Sequence, residues 1–138
     1  MGSDATRKEF LMRVREQMST AIISVEAQTP LGPALLLMES SGLRCLPVVD
    51  GQRLLGLLLA SDLRLGTAPP DAQVSEYAVP TTEQIRPDMP IERAAFLMLQ
   101  HDVRGLPVID AQDRLVGVVT VKDLLKTLVE APPVVLWK

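Results

Sequence analysis

The stretch LRCLPVVD at residues 43–50 recurs sixty residues later as VRGLPVID at residues 103–110. Each copy has the apolar, β-branched composition of a short buried strand, and each is followed by a turn and a second apolar run, at residues 54–59 and 115–120. The first turn is Asp-Gly, a strong signal for a two-residue hairpin loop. The chain is therefore predicted to contain the same β-hairpin twice.

The similarity between the two copies extends far beyond the hairpin. Equivalent residues are sixty apart before the second turn and sixty-one apart after it, because the second turn has one extra residue. This period is longer than that of solenoid repeats, which indicates a duplicated subdomain. The aligned pairs include Val14 with Val74, Glu16 with Glu76, Pro30 with Pro90, Ala34 with Ala94, Met38 with Met98, Gly56 with Gly117 and Asp62 with Asp123.

A helix is predicted in front of each hairpin. In the first copy Leu36-Leu37 make this helix apolar more nearly all round, which predicts that it is the more buried of the two. A short strand comes before each helix, at 22–25 and 82–85, and a further helix closes each copy, at 61–65 and 121–130. The apolar face predicted for the second copy consists of Ile91, Ala94, Ala95, Met98 and Leu99.

Each copy therefore has the predicted order β-α-β-β-α, and the predicted fold class is α/β (α+β). The predicted segments are an N-terminal helix or leader at 1–18, a first unit at 19–65, a linker with a short helix at 66–78, a second unit at 79–130 and an apolar tail at 131–138. One such unit cannot bury both faces of a three-stranded sheet. We therefore expect the two units to pack together.

Composition argues against several classes of function. The chain has 138 residues, 47% of them apolar, and a net charge of -3 at pH 7, which indicates a folded domain and disfavours a nucleic-acid binder. The apolar runs are too short to span a bilayer and the N-terminus is polar, so membrane insertion is not expected. The single cysteine, Cys45, permits no internal disulfide and suits a cytoplasmic location. It is expected to act as a small buried hydrophobe rather than a nucleophile.

Catalysis is not expected either. The sequence contains no P-loop and no dinucleotide-binding glycine motif. His101 is the single histidine, so neither a catalytic triad nor a histidine-containing metal site is predicted. We therefore expect no catalytic residue, no metal and no required cofactor.

These residues resemble the CBS domain, named after cystathionine beta-synthase, over most of the chain from Val14 to Leu128. The resemblance lies in the two Leu-Pro-Val strands, the two hairpins and the sequence GVVTVKD at residues 117–123. It implies a tandem pair, called a Bateman module, in which two units related by a pseudo-two-fold axis enclose ligand clefts. It also implies a regulatory homodimer that binds AMP, ADP, ATP or S-adenosylmethionine between its units. Almost nothing in the chain outside the two units remains to act as an effector, so we expect either that it modulates a partner protein in trans or that it is a fragment of a longer chain.

The motif at residues 117–123 also has a chemistry of its own. A strand ends and a helix begins at Thr120, so free backbone N–H groups and the helix dipole favour an anion there, and Asp123 can accept hydrogen bonds from both hydroxyls of a ribose. The spacing Thr-x-x-Asp equally fits a capping box, in which both side chains bind the helix's own N–H groups, and spacing alone favours the cap. The resemblance implies the ligand role, with Thr120 on phosphate and Asp123 on ribose.

Further candidate ligand residues occur in both copies. In the first copy Leu59 stands in place of Thr120, so the site with Asp123 is expected to be the better one. Arg44 and Arg104 precede the equivalent strands, where they suit either phosphate binding or a solvated surface. The candidate ligand residues are Asp123, Thr120, Lys122, Arg104, Gly105 and Thr82 in the second copy, and Asp62, Ser61 and Arg44 in the first.

Two functions are therefore carried forward. The first is a regulatory module that senses an adenosine-type nucleotide. The alternative is a structural dimerisation or interaction module with vestigial ligand sites, which Leu59 favours for the first copy. Thr82 is likewise open between a polar ligand contact and an ordinary strand residue.

Overall fold

The computed structural model describes residues 12–81 and 83–130, apart from the side chains of Leu63 and Glu130. Its fold class is α/β, as predicted. Two short 3-10 helices lie at Leu63–Gly66 and Val74–Glu76. The other elements, in chain order, are α1 Val14–Gln17, β1 Val25–Glu26, α2 Leu31–Ser41, β2 Cys45–Asp50, β3 Arg53–Leu59, α3 Ile91–His101, β4 Gly105–Ile109, β5 Leu115–Thr120 and α4 Val121–Glu130.

The described residues form two compact units. The first-repeat unit contains the described residues of Ile22–Glu83 together with Ala111–Leu115. The second-repeat unit contains residues 12–21, 84–110 and 116–130. Each unit has an apolar core of its own. Within the described residues, no helix has the length and apolar content that crossing a bilayer requires.

In the first-repeat unit, a three-stranded sheet packs against α2. β1 pairs in parallel with β2, and β2 pairs antiparallel with β3. The hairpin turn that joins β2 to β3 is Gly51-Gln52, one residue later than the predicted Asp50-Gly51, because Asp50 still pairs with Arg53. Gly51 has a φ of 65°, a conformation that costs glycine little. The core of this unit includes Leu31, Ala34, Met38, Leu46, Val48, Leu58 and Val74.

The second-repeat unit follows the same plan. Ile85 forms a parallel bridge with Val108, which is equivalent to the pairing of Val25 with Val48 in the first repeat. β4 and β5 form a two-stranded sheet, and α3 packs against α4. The core of this unit includes Val14, Ile85, Ile91, Ala94, Leu97, Met98, Leu106, Val108 and Val119.

The segment at the start of each predicted unit pairs with the other repeat. Val79 and Leu57 exchange two backbone hydrogen bonds of 2.8 and 2.9 Å, and the equivalent residues Ser19 and Val118 exchange two of 2.8 and 2.9 Å. Each compact unit therefore combines one repeat with the leading segment of the other. The segment boundaries predicted from the sequence divide the chain by its internal repeat, whereas the compact units divide it by packing. The predicted boundaries therefore stay predictions.

The aligned glycines Gly56 and Gly117 lie where these leading segments approach most closely. A Cβ atom at Gly56 would lie 2.7 Å from the carbonyl oxygen of Val79. A Cβ atom at Gly117 would lie 2.5 Å from Sδ of Met18 and 3.2 Å from the carbonyl oxygen of Ser19. A glycine in a strand interior commonly marks such a close approach of another backbone. The two glycines therefore make room for the exchanged segments.

Two predictions about helix burial are wrong. By number of buried residues the first-copy helix, α2, is not the more buried one, because it buries three residues whereas α3 buries four, and its Leu36 is 67% exposed. On α3, Leu99 is 83% exposed and Leu97 is buried instead. The buried face of α3 consists of Ile91, Ala94, Leu97 and Met98, so it is displaced around the helix toward Leu97 relative to the prediction.

Candidate functional site

The junction of β5 and α4 brings Thr120 and Asp123 together. Thr120 is the last residue of β5, and α4 begins at the next residue. The backbone N–H and the hydroxyl of Thr120 donate to Oδ2 of Asp123 at 2.8 and 3.0 Å. The N–H of Asp123 donates to the hydroxyl oxygen of Thr120 at 3.3 Å. This is the capping box that the spacing favours, and it fixes both side chains at the helix start.

The cap leaves one donor and one acceptor unused. The N–H of Val121 donates to the carbonyl oxygen of Arg104 at 2.9 Å. By contrast, the N–H of Lys122 and Oδ1 of Asp123 have no hydrogen-bond partner among residues 12–81 and 83–130. Because the first N–H groups of a helix have no partner within the helix, such groups are available to a ligand.

The start of β4 lies beside this junction. A Cβ atom at Gly105 would lie 3.4 Å from Cγ2 of Thr120, so these two residues are in contact. The side chains of Arg104 and Lys122 are both exposed. The structure therefore brings together five of the six second-copy candidates, and Thr82 lies outside the described residues.

The equivalent junction of the first copy is built differently. β3 ends at Leu59, which has no hydroxyl to match that of Thr120. Asp62, the equivalent of Asp123, is not inside an α-helix. It caps the 3-10 helix Leu63–Gly66, with its side chain accepting from the N–H of Arg64. The first-copy aspartate therefore has a different local backbone from the second-copy one.

Arg44 and Ser61, the other first-copy candidates, also lie at this junction. The N–H of Ala60 donates to the carbonyl oxygen of Arg44 at 2.8 Å, which reproduces the contact between Val121 and Arg104. The side chains of Arg44 and Ser61 are exposed. The strand ends of the two copies are thus alike in this backbone contact and differ in their side chains.

Arg64 holds the carboxylate of Asp62. Oδ1 accepts from the backbone N–H and from Nε of Arg64 at 3.0 and 3.1 Å, and Oδ2 accepts from Nη2 and Nε at 2.6 and 3.1 Å. The side-chain hydrogen bonds from Arg64 lower the pKa of Asp62, and the same bonds raise the pKa of Arg64. Both groups are therefore charged at neutral pH, and the carboxylate is engaged in an ion pair within its own unit.

Arg64 is the residue of this site that sequence reasoning missed. Its equivalent in the second copy is Leu125, which is uncharged and 57% exposed. The signal was present, because DLR at residues 62–64 aligns with DLL at residues 123–125. An arginine two residues after the aspartate in the first copy, where the second copy has a leucine, identifies a competitor for the Asp62 carboxylate.

Cys45 occupies the place of Gly105 in the first copy, opposite Leu59 in the β2–β3 pair. Burial raises the pKa of its thiol to about 11, so the thiol is protonated at neutral pH. The thiolate is the nucleophilic form of cysteine. Cys45 is half-buried, so it is less buried than the small buried hydrophobe that was predicted, and its protonated thiol does not favour a nucleophilic role.

Comparison with known proteins identifies one family. The CBS domain profile matches the sequence twice, at residues 11–66 and 74–130. The CBS domain-containing protein YhcV of Bacillus subtilis (strain 168) is 35% identical over 115 residues, which are 80% of this chain and 81% of that protein. The two profile matches cover both repeats and the junctions described above.

Two solved structures of the same fold contain a nucleotide. The crystal structure of CBSX2 in complex with AMP is similar with a TM-score of 0.76 and 26% identity, over 86% of this chain and 96% of that chain. The cytosolic domain of the Mg²⁺ channel MgtE in complex with ATP is similar with a TM-score of 0.68 and 33% identity. That match covers 80% of this chain and 46% of the MgtE chain, so it spans less than half of the MgtE structure.

Proposed function

The chain belongs to the CBS domain family as a tandem pair, and we propose that it is a regulatory module that binds an adenine nucleotide at the junction of β5 and α4. The ligand class is AMP, ADP or ATP, with S-adenosylmethionine as a relative that shares the adenosine group. In this proposal the module performs no catalysis and modulates a partner. The proposed contacts are Asp123 to the ribose, Lys122 and Arg104 to the phosphate, and the backbone at Gly105 to the adenine. Thr120 is proposed to bind the phosphate by turning its hydroxyl proton from Oδ2 of Asp123 to the ligand, while its backbone N–H keeps Oδ2 in the cap.

The unused hydrogen-bonding capacity at the start of α4 carries this proposal. Oδ1 of Asp123 can accept from a ribose hydroxyl while Oδ2 stays in the cap. The N–H of Lys122 can donate to an anionic oxygen at the positive end of a helix of ten residues. The exposed cations of Lys122 and Arg104 add to the attraction for an anion. A nucleotide supplies a neutral diol and an anionic group in one molecule.

Two similar proteins support the choice of ligand class. The CBSX2 structure is a complex with AMP, and the MgtE cytosolic domain structure is a complex with ATP. These ligands share adenosine and differ in the number of phosphates. AMP and ATP are therefore the first probes to use with this chain.

The Thr120→Val variant tests the phosphate contact, because it removes one hydroxyl at nearly constant side-chain volume. We expect its affinity for AMP or ATP to fall about fivefold, since a neutral hydrogen bond contributes about 1 kcal/mol. Thr120→Ser keeps the hydroxyl and should bind as the wild type does. Isothermal calorimetry measures the affinities, and thermal melts without ligand report the separate cost of the weakened cap. Equal binding by Thr120→Val would exclude a role for the hydroxyl in binding.

We also propose that the chain forms a homodimer through an apolar surface on α3, on the turn after it and on α4. These two helices pack against each other, and their exposed faces carry several large apolar side chains. Large apolar side chains that are exposed close to one another are typical of protein interfaces. The exposed residues are Phe96, Leu99, Val103, Val121, Leu125, Leu128 and Val129.

The dimer proposal predicts that Leu99→Glu raises the dissociation constant of the homodimer. We expect an increase of about tenfold or more, because the substitution places an unpaired charge in an apolar interface. Gln100→Glu adds the same charge at the neighbouring exposed position and serves as the matched control. Sedimentation equilibrium measures both. A wild-type protein that stays monomeric at high concentration contradicts the proposal, whereas a dimer that binds no nucleotide supports the purely structural alternative.

A further inference from the structure

We propose that Arg64 closes the first-copy site, so that each chain binds one nucleotide, at Asp123, and not two. The inference rests on the proposed nucleotide function and adds the number of ligands and the residue that sets it. It concerns the difference between two positions that the duplication made equivalent, Asp62 and Asp123.

The contact between Asp62 and Arg64 uses both carboxylate oxygens. Three bonds from the guanidinium group, at 2.6, 3.1 and 3.1 Å, and one from the backbone N–H, at 3.0 Å, converge on Asp62. The side chain of Asp62 is 14% exposed in this arrangement, while that of Arg64 is 60% exposed. The guanidinium group of Arg64 also lies 5.9 Å from the ring centre of Tyr77, within the range of a cation–π contact. The hydrogen bonds to Asp62 and the cation–π contact with Tyr77 therefore both fix the position of the Arg64 guanidinium group.

A ribose offers only neutral hydroxyl donors to a carboxylate. Charge-assisted hydrogen bonds are roughly twice as strong as neutral ones, and the forked geometry of arginine suits a carboxylate. A diol that binds at Asp62 has to displace such a pair without replacing its charge. The ion pair is therefore the favoured state of Asp62, and the first copy does not offer a free acceptor for ribose.

The second copy has neither the arginine nor the leucine that the first copy has at these two positions. Leu125 stands at the position of Arg64 and cannot pair with Asp123. Oδ1 of Asp123 has no hydrogen-bond partner in the part of the chain that the structure describes. Thr120 supplies a hydroxyl where the first copy has Leu59. Two substitutions, Leu59→Thr and Arg64→Leu, therefore convert the first-copy residues at these positions into those of the second copy.

The experiment measures the binding of AMP, ATP and S-adenosylmethionine by calorimetry in a background that carries Asp123→Ala, which removes the second-copy ribose acceptor. The variants in this background are Leu59→Thr alone, Leu59→Thr with Arg64→Leu, and this pair with Asp62→Ala. We expect the pair to bind one nucleotide at least about tenfold more tightly than Leu59→Thr alone, since a released charged acceptor contributes about 1.5–3 kcal/mol. Adding Asp62→Ala should remove the gain. Melting curves confirm that each variant folds. If the variant with both substitutions does not fold, Arg64→Leu alone is tested in its place, and the same gain in affinity is expected.

The outcomes separate this inference from the proposed function. A wild-type chain that binds none of the three probes overturns both. A wild-type chain that binds at Asp123, while Leu59→Thr alone binds as tightly as the pair or the pair gains nothing, overturns only the role of Arg64. Two nucleotides bound per wild-type chain, with Arg64→Leu weakening one of them, would show that Arg64 is a phosphate ligand instead.

Discussion

Asp123→Ala is expected to weaken the binding of AMP about 10- to 100-fold, because a hydrogen bond to a charged acceptor contributes about 1.5–3 kcal/mol. The side chain of Asp123 lies at the junction of β5 and α4, and its Oδ1 atom is the acceptor that the cap leaves unused. The substitution also removes the cap, so the free protein should lose about 1 kcal/mol of stability. Calorimetric titration and thermal melts measure the two effects separately.

A ligand analogue separates ribose binding from a general loss of structure. We expect the wild type to prefer AMP over 2′,3′-dideoxyadenosine monophosphate by about tenfold, and Asp123→Ala to bind the two equally, as a double-mutant cycle requires for a direct contact. Asp62→Ala is the matched control, because the carboxylate of Asp62 is already paired with Arg64, and its affinity for AMP should remain that of the wild type. Equal discrimination between the two ligands by wild type and Asp123→Ala would rule out the ribose contact.

Gly56→Ala is expected to lower the free energy of unfolding by about 2 kcal/mol, which corresponds to about 5–10 °C in melting temperature. The new Cβ atom would lie 2.7 Å from the carbonyl oxygen of Val79 and 3.1 Å from its carbonyl carbon. The obstacle is backbone that is itself held by hydrogen bonds to Leu57, so it cannot move aside as a flexible side chain does. Chemical denaturation followed by circular dichroism measures the effect.

Two further glycines provide the comparison. No described atom lies within 4 Å of a Cβ placed at Gly66, so Gly66→Ala should change stability by less than about 0.5 kcal/mol. Gly117→Ala should be intermediate, because its closest neighbour is the flexible side chain of Met18. If Gly56→Ala proved no more destabilising than Gly66→Ala, the close approach of Val79 would not describe the folded protein.

The internal repeat made much of the fold predictable from sequence. The hairpins and the closing helix of the second copy depend on local patterns, and that helix lies at Val121–Glu130, as predicted. The first strand was predicted at 22–25, but β1 is Val25–Glu26, because its position is set by parallel pairing with β2 and not by local composition. Such strand pairings depend on residues that are distant in sequence, and one sequence alone does not show which strands pair.

Most residues of the candidate site could be predicted from the sequence, but their hydrogen bonds could not. The spacing of Thr120 and Asp123 allowed both a cap and a ligand site, and the structure shows the cap together with an unused carboxylate oxygen. The role of Arg64 depends on a side chain folding back over two residues in a 3-10 helix. Helical periodicity does not place residues two apart on one face, so pattern reasoning did not pair them.

The pairing of Ser19 with Val118 has a consequence for how this protein is made. Val79 finds Leu57 soon after it leaves the ribosome, whereas the strand segment at Ser19 waits until almost a hundred further residues have been translated. Contacts between such distant residues form late and slow the completion of folding. The two repeats are alike in sequence, but the order of synthesis leaves the segment at Ser19 without its partner for longer than the equivalent segment at Val79.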